Sequence, residues 1–466
     1  MAEPLWTSAE IVAATGGQLS GAPFVATGVS IDTRTLEPGD LFVALAGERD
    51  GHAFAAAALE RGAAGVLAAK PVGGAAVMVA DTLKALERMG EAARARASLA
   101  RRGAVTGSVG KTSVTQAIAA GLRRAGPAHA SVKSYNNHIG VPLTLARMPQ
   151  ATQRAVFEVG MNHADEITPL TRMVCPQAVV VTTVAQAHIE NFADGEIGVA
   201  RAKAEIFEGL TSGGKAVLNA DNRWFDFLAD AARGHSAQVV CFGTRDGCAA
   251  QLTDFRLAGG SARIEARLHG RPLAFSMRQT GSHWGLMSLA SILMMEALEV
   301  PLDEAVAALE AFEPLEGRGA EREVALPGGA FTLIDESYNA NPVSVAAALR
   351  TLGLRAVANR RIAVLADMLE LGKDSRAYHA GLASEIEAAK VDLVFCAGPM
   401  MKSLFEALPP TRQGAYAETA ALLAPIVTRA VEPGDVVMVK GSRDSHAKAL
   451  FDALKAAGER ASGEAA

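Results

Sequence analysis

Thr106-Gly107-Ser108-Val109-Gly110-Lys111-Thr112-Ser113 decides how the rest of the chain is read. The tract lies between an apolar run and a helical pattern. There the free N–H groups of a helix start and the helix dipole together favour a phosphate anion. Lys111 adds a point charge, and Thr112 offers a hydroxyl of the kind that meets Mg²⁺ in phosphate loops. The strict GxxxxGK[ST] spacing fails at its first position, where Val105 stands in place of glycine. A glycine-rich turn with no ligand is the competing reading, and the flanking strand and helix favour the nucleotide loop. Gly107, Ser108, Val109, Gly110, Lys111, Thr112 and Ser113 are therefore candidate nucleotide contacts.

Outward from this loop, short apolar runs bounded by Gly and Pro alternate with helical patterns, which predicts an α/β protein built from parallel sheets. Its 466 residues are too many for one core. Three domains are expected. Residues 1–101 form a small N-terminal α/β domain, with strands at 41–47, 65–69 and 77–80 and a helix near 82–100. Residues 102–316 form a central parallel-sheet domain around the phosphate loop, with strands at 155–160, 178–184, 216–221 and 238–243. Its residues 249–279 alternate polar and apolar positions, as antiparallel edge strands do. Residues 317–466 form a Rossmann-like domain with strands at 331–338, 361–368, 392–398 and 435–442. The charged, Gly- and Pro-rich stretch 313–329 reads as a linker, the turn at Gly259-Gly260 as a hairpin tip, and residues 461–466 as a frayed tail.

Composition removes several alternatives. Half the residues are hydrophobic and 20% charged, which excludes disorder and fibre. Lys plus Arg at 45 against Asp plus Glu at 50 gives a net charge of -5, so no overall basic field draws nucleic acid or anionic lipid. Any anion must be held locally. The start MAEPLWTSAE lacks a basic-then-apolar run, and the longest uncharged apolar stretch, 284–295, falls short of the ~20 residues a bilayer needs. Four cysteines without a CxxC pair suit a reducing compartment. A cytoplasmic protein is expected, with monomer as the default.

Two further residues end strands of the central series, Glu158 in Phe157-Glu158-Val159-Gly160 and His188 in Ala187-His188-Ile189. Ligands of open parallel sheets gather beyond the carboxyl ends of the strands, so both can converge on the phosphate loop, where an acid and an imidazole suit a metal. Taken singly, each is as easily a surface or core residue. Lys203 reads as an ordinary helix lysine; an ammonium cannot coordinate Mg²⁺ unless CO₂ has made it a carbamate.

Together these residues resemble the Mur ligase family over nearly the whole chain. The 106–113 loop is similar to that family's shortened ATP loop, Tyr135-Asn136-Asn137-His138-Ile139-Gly140 to its Asn-Asn segment, and Glu158, His188 and Lys203 to its metal positions, Lys203 matching a lysine that is usually carbamylated. Asp32-Thr33-Arg34 through 47–52, Asp335-Glu336-Ser337-Tyr338-Asn339-Ala340-Asn341-Pro342 and Asp367-Met368-Leu369-Glu370-Leu371-Gly372 resemble the members that add a D-Ala-D-Ala dipeptide to UDP-N-acetylmuramoyl-tripeptide. No DNPR motif of the diamino-acid-adding members is present. The chain departs from the family at Gly281-Ser282-His283-Trp284, with Met287 where a second Asn is usual. Trp284 there either stacks on a purine or fills the core, with core the more frequent use of Trp.

The resemblance implies an ATP-dependent acid–D-amino-acid ligase using two Mg²⁺, one on Thr112 and Glu158 and one on His188 and carbamylated Lys203. Lys111, His188 and Lys203 are its expected catalytic residues. His283, Arg318, Asp335, Asn339 and Asn341 would complete the ATP site. Thr33 and Arg34 would meet the nucleotide sugar, and Asn136, Asn137, Asp367, Lys440, Ser442 and Arg443 the peptide substrates. Two other readings stay open: a phosphate-loop NTPase that switches conformation, and a related ligase with another acceptor.

Overall fold

The computed structural model describes residues 3–463 apart from Glu48, Lys133 and Gly259, without the side chains of residues 459–463. Glu48 of the 47–52 segment, Gly259 of the expected hairpin tip and the end of the tail therefore lie outside the described residues. Three α/β domains follow one another, each around its own sheet.

The N-terminal sheet runs in the order Gln18–Ser20, Ala76–Met78, Gly65–Ala68, Asp40–Val43, Gly28–Ser30, all parallel but the first. Trp6, Leu41, Leu86 and Met89 form its core against the Thr82–Arg96 helix. Asp81 starts that helix by accepting from the Leu83 and Lys84 N–H groups. The strand expected at 41–47 ends at Val43.

The central sheet has nine strands, and Arg101–Thr106 lies inside it between Arg154–Glu158 and Ala178–Val181. Apart from Arg101 and Arg154 at their starts, these strands are buried throughout, and Ala178–Val181 is a continuous apolar run. The Lys111–Arg124 and Trp284–Ala297 helices pack on one face. At the far edge Ala250–Ala258 joins Gln238–Gly243 in parallel, and Ser261–Leu268 and Arg271–Met277 then add antiparallel, with alternate residues of Ser261–Leu268 buried.

The C-terminal sheet runs Ala320–Leu326, Gly329–Glu336, Val436–Lys440, Arg361–Ala366, Leu393–Ala397, Gln413–Ala417, parallel except for its first strand. That strand corrects the linker expected at 313–329. Glu321, Arg322 and Glu323 look like linker composition, yet they lie on an edge strand, where charge is tolerated; of Ala320–Leu326 only Val324 is buried. The connection is confined to the few residues before it. The carboxyl ends of the central and C-terminal sheets border one shared cavity.

Candidate active site

The phosphate loop is shaped by two glycines. Gly107 has φ +146°, and a Cβ there would lie 1.9 Å from Thr182 Oγ1, so any side chain would displace the neighbouring strand end. Gly110 has φ +85° and leads directly into the Lys111–Arg124 helix, whose first turn carries no side-chain cap. Its leading N–H groups are thus available to an anion. Ser108 Oγ donates to the Ala185 carbonyl (3.1 Å) and accepts from the Ala185 N–H (3.0 Å), and Thr182 Oγ1 donates to the Val109 carbonyl (2.6 Å). These bonds clamp the loop to the end of the next strand. Lys111 Nζ donates to the Gly107 carbonyl at 2.8 Å, folding back over the loop. Burial pushes its pKa down, Glu158 opposes that and Arg318 adds to it.

The loop lines a cavity of about 490 Å³, of the size that holds a small-molecule ligand. Glu158 reaches the cavity from the end of its strand, 1% exposed. Its Oε1 accepts from Asn136 Nδ2 at 2.6 Å, while Oε2 is buried with no hydrogen-bond partner among the described residues. His188 lines the cavity too, in the left-handed region at φ 58°, with Nδ1 against the Glu370 carboxylate from the C-terminal domain. The two atoms touch without hydrogen-bond alignment. Lys203 is 2% exposed and lies outside the cavity lining. Burial first, then the charge of Lys111, drive its pKa well below the ordinary lysine value. Among the described residues no three His, Cys, Asp or Glu side chains gather as a metal cluster. Of Thr112, Glu158, His188 and Lys203, only Glu158 and His188 are of those types.

The opposite wall comes from the C-terminal domain. Arg318 lies 4.0 Å above the Tyr338 ring and donates to Thr112 Oγ1 at 3.1 Å. Tyr338 in turn shares a 2.6 Å hydrogen bond with Ser134. Asn339 and Asn341 line the cavity, and Asn341 also caps the Pro342–Gly353 helix through the Ser344 N–H. Lys440 is 3% exposed and donates to Glu336 Oε2 (3.2 Å) and to the Asn339 carbonyl (3.0 Å). His283 lines the cavity in front of the Trp284–Ala297 helix, its pKa held down by burial.

Several expected residues stand elsewhere. Asp335 accepts from the Gly317 and Ser337 N–H groups and from Ser337 Oγ, so both its oxygens are used in the hinge and it does not line the cavity. Asp367 accepts from the Met400 and Met401 N–H groups at the start of a helix. Ser442 Oγ bonds Leu369 and Ala340, Arg443 is exposed, and Asn137 caps Ile139 and Gly140. Thr33 and Arg34 lie in the N-terminal domain, with Arg34 85% exposed and forked onto Asp32. None of these lines the cavity. Trp284 fills the core, its ring 5.7 Å from that of Phe312, while Met287 faces Gly110. Sequence reasoning passed over Thr183 and Asn219, which do line it, as does Glu336 of the 335–341 segment. Asn219 ends a central strand, so the carboxyl-end rule already applied to Glu158 would have found it.

The sequence matches three family patterns: the Mur ligase family catalytic domain over residues 25–102, the Mur ligase middle domain over 105–295, and the Mur ligase glutamate ligase domain over 323–443. The chain is 34% identical over 458 residues to the UDP-N-acetylmuramoyl-tripeptide–D-alanyl-D-alanine ligase of Escherichia coli, covering 94% of this chain and 96% of that one. It is 32% identical over 430 residues to the Bacillus subtilis ligase of the same name, covering 89% and 90%. Among solved structures, MurF from Acinetobacter baumannii superposes with a TM-score of 0.85 at 28% identity, covering 98% of this chain and 99% of that one.

Proposed function

The chain belongs to the Mur ligase family, and from that premise we propose that it joins D-alanyl-D-alanine to UDP-N-acetylmuramoyl-tripeptide at the expense of ATP, in peptidoglycan precursor synthesis. The observation that supports this best is the meeting of Lys111, Glu158 and Arg318 in one cavity between two domains.

Amide synthesis from a carboxylate requires a better leaving group than oxide. The tripeptide's terminal carboxylate attacks the γ-phosphorus of ATP, releasing ADP and leaving an acyl phosphate. The dipeptide's amine then attacks the acyl carbon, gives up a proton, and phosphate departs from the tetrahedral intermediate. The first step brings two anions together, so fixed cations supply most of its catalysis. Lys111 and the helix start hold the phosphates, and Arg318 crosses from the other domain to the same place. Because Arg318 now bonds Thr112, phosphates entering the loop take over its guanidinium. Gly107, Ser108, Val109, Gly110 and Ser113 shape the loop, and His283, Asn339 and Asn341 complete the nucleotide pocket. Closure of the two walls keeps water from the acyl phosphate.

The residues present fit Mg²⁺. Glu158 Oε2 is a buried carboxylate oxygen with nothing to pair it, and Thr112 Oγ1 keeps a second lone pair beside Arg318. Thr112 and Glu158 would hold one ion and His188 with Lys203 a second. When bound, Mg²⁺ neutralises the phosphate oxygens and polarises the substrate carboxylate. Lys203 suits carbamylation for a physical reason: burial favours the neutral form of its amine, the form nucleophilic toward CO₂, and the resulting anion turns its repulsion with Lys111 into attraction.

Thr33 and Arg34 are assigned to the nucleotide sugar, and Asn136, Asn137, Asp367, Lys440, Ser442 and Arg443 to the peptide path, Lys440 and Asn136 being those that reach the cavity. No helix among the described residues is long and apolar enough to cross a membrane; a cytoplasmic monomer is part of the proposed reading. The test is phosphate release with each substrate withheld in turn. A ligase releases phosphate only when both UDP-muramoyl-tripeptide and D-Ala-D-Ala are present. Release without an acceptor marks a switch NTPase, and release with a different amino acid marks another acceptor.

A further inference from the structure

His188 meets the C-terminal domain at Glu370, a residue of the tract 367–372 that has no role in the reaction described above. Both residues hold left-handed backbone, His188 at φ 58° and Glu370 at φ 61°. That conformation is unfavourable for a residue with a side chain and persists where surroundings impose it. Gly372, at φ 65°, lets the same tract lie against Glu190: a Cβ on it would stand 3.4 Å from Glu190 Cβ. The Ile189–Asn191 and Gly372–Asp374 turns pack together beside the pair. Two loops from two domains thus present one imidazole to one carboxylate.

We propose that Glu370 is a positioning residue for His188: its carboxylate, delivered by the C-terminal domain, takes the Nδ1–H and so turns the Nε2 lone pair toward the reaction centre. This rests on the reading of His188 given above. Nδ1 is buried against Glu370, the 22% exposure of the side chain lies on its other atoms, and His188 lines the cavity. A neutral imidazole carries one proton on two nitrogens, and a carboxylate at one nitrogen decides which keeps it. Metal-binding histidines commonly receive such an outer carboxylate, which fixes tautomer and ring angle together. Catalytic hydrogen bonds are often misaligned before ligands bind and tighten in the complex, which matches the off-axis contact seen here. Since the carboxylate comes from the other domain, His188 is oriented only when the two walls are together. Closure and readiness for chemistry are then one event.

The experiment reads the tautomer directly. Histidine-¹⁵N spectra of the full chain with a nonhydrolysable ATP analogue and no metal, so that the two walls are together, give the protonation of each ring nitrogen, and His188→Gln identifies the His188 signals. The wild type is expected to show a protonated Nδ1 and a bare Nε2 at His188. Glu370→Ala should lose that preference and lower kcat by about 10- to 100-fold with KM for ATP little changed. Glu370→Gln, whose amide oxygen still accepts, should restore the tautomer and part of kcat, and it also serves if the alanine variant fails to fold. The proposal is overturned if either the tautomer or kcat of Glu370→Ala stays at the wild-type value. The underlying reading fails separately: wild-type turnover in His188→Gln would remove His188 from the reaction, whatever Glu370 does.

Discussion

On the central-domain wall of the cavity, Glu158 Oε2 is buried without a partner among the described residues, and Lys203, outside the cavity lining but within reach of the Lys111 charge, is buried with its pKa driven well down. On the C-terminal wall the polar groups are already engaged: Lys440 with Glu336 and Asn339, Asn341 with the helix it caps, Arg318 with Thr112 and Tyr338. Unpaired buried polar atoms cost stability and persist where a ligand later repays them, whereas paired ones hold shape. On the proposed reading the central wall, which holds phosphate and metal, carries the chemistry, and the C-terminal wall acts as a lid. The C-terminal wall keeps its geometry by bonding to itself and meets the ligand with a few residues that exchange partners on closure.

Substitutions on the two walls should therefore separate activity from stability. Lys111→Ala should have the largest effect, lowering kcat/KM by about 10³-fold or more, roughly 4 kcal/mol, with thermal midpoint within a few degrees of wild type. Steady-state kinetics beside a melting curve checks this, and near-normal turnover would break the comparison at its root. Lys203→Met comes next: turnover should fall about 100-fold or more while the midpoint holds or rises, because a desolvated amine is replaced by an apolar chain of similar length.

The Lys203 substitution also carries a pH signature. In the uncarbamylated chain the folded-state pKa of Lys203 is depressed, so between that lowered value and the ordinary lysine value the unfolded chain binds a proton that the folded chain does not. Stability then rises with pH from the lowered folded value up to the ordinary lysine value, and that contribution to the slope should vanish in Lys203→Met. Denaturant titrations across alkaline pH measure it; an unchanged slope would mean that the amine is charged in the fold.

On the lid, Arg318→Lys should cost tens of fold in kcat/KM for ATP, because lysine keeps the charge but loses the planar fork and the stacking on Tyr338. A loss as large as that of Lys111→Ala would sharpen the comparison by placing Arg318 with the chemistry. Asn341→Ala should have the smallest catalytic effect and a clear structural one, about 1 kcal/mol of stability from the lost cap in chemical denaturation, with turnover changed only a few-fold. A collapse of activity without loss of stability would show that Asn341 belongs to the ligand rather than to the helix.

How much of this was legible in the sequence follows the same division. The loop 106–113 and Glu158 could be read because their chemistry is local: a glycine pattern between strand and helix, and an acid at a strand end. Asp335 misled because a buried carboxylate in a nucleotide-like tract looks the same whether it faces a ligand or ties down the hinge at Gly317 and Ser337. Glu336, its neighbour, faces the cavity because successive strand residues point to opposite sides. The strand Ala320–Leu326 was hidden by its edge position, where charge replaces the apolar pattern that marks buried strands. The contact between His188 and Glu370 spans 182 residues of sequence and has no local signal at all.

The central claim, that this cavity transfers the γ-phosphoryl group of ATP to a substrate carboxylate before the amide forms, is tested most directly by oxygen tracing. With ¹⁸O in the terminal carboxylate of UDP-muramoyl-tripeptide, phosphate released in a turnover with D-Ala-D-Ala should carry one labelled oxygen from the broken acyl–oxygen bond. Phosphate released without label, its oxygens drawn from ATP and water alone, would contradict the account.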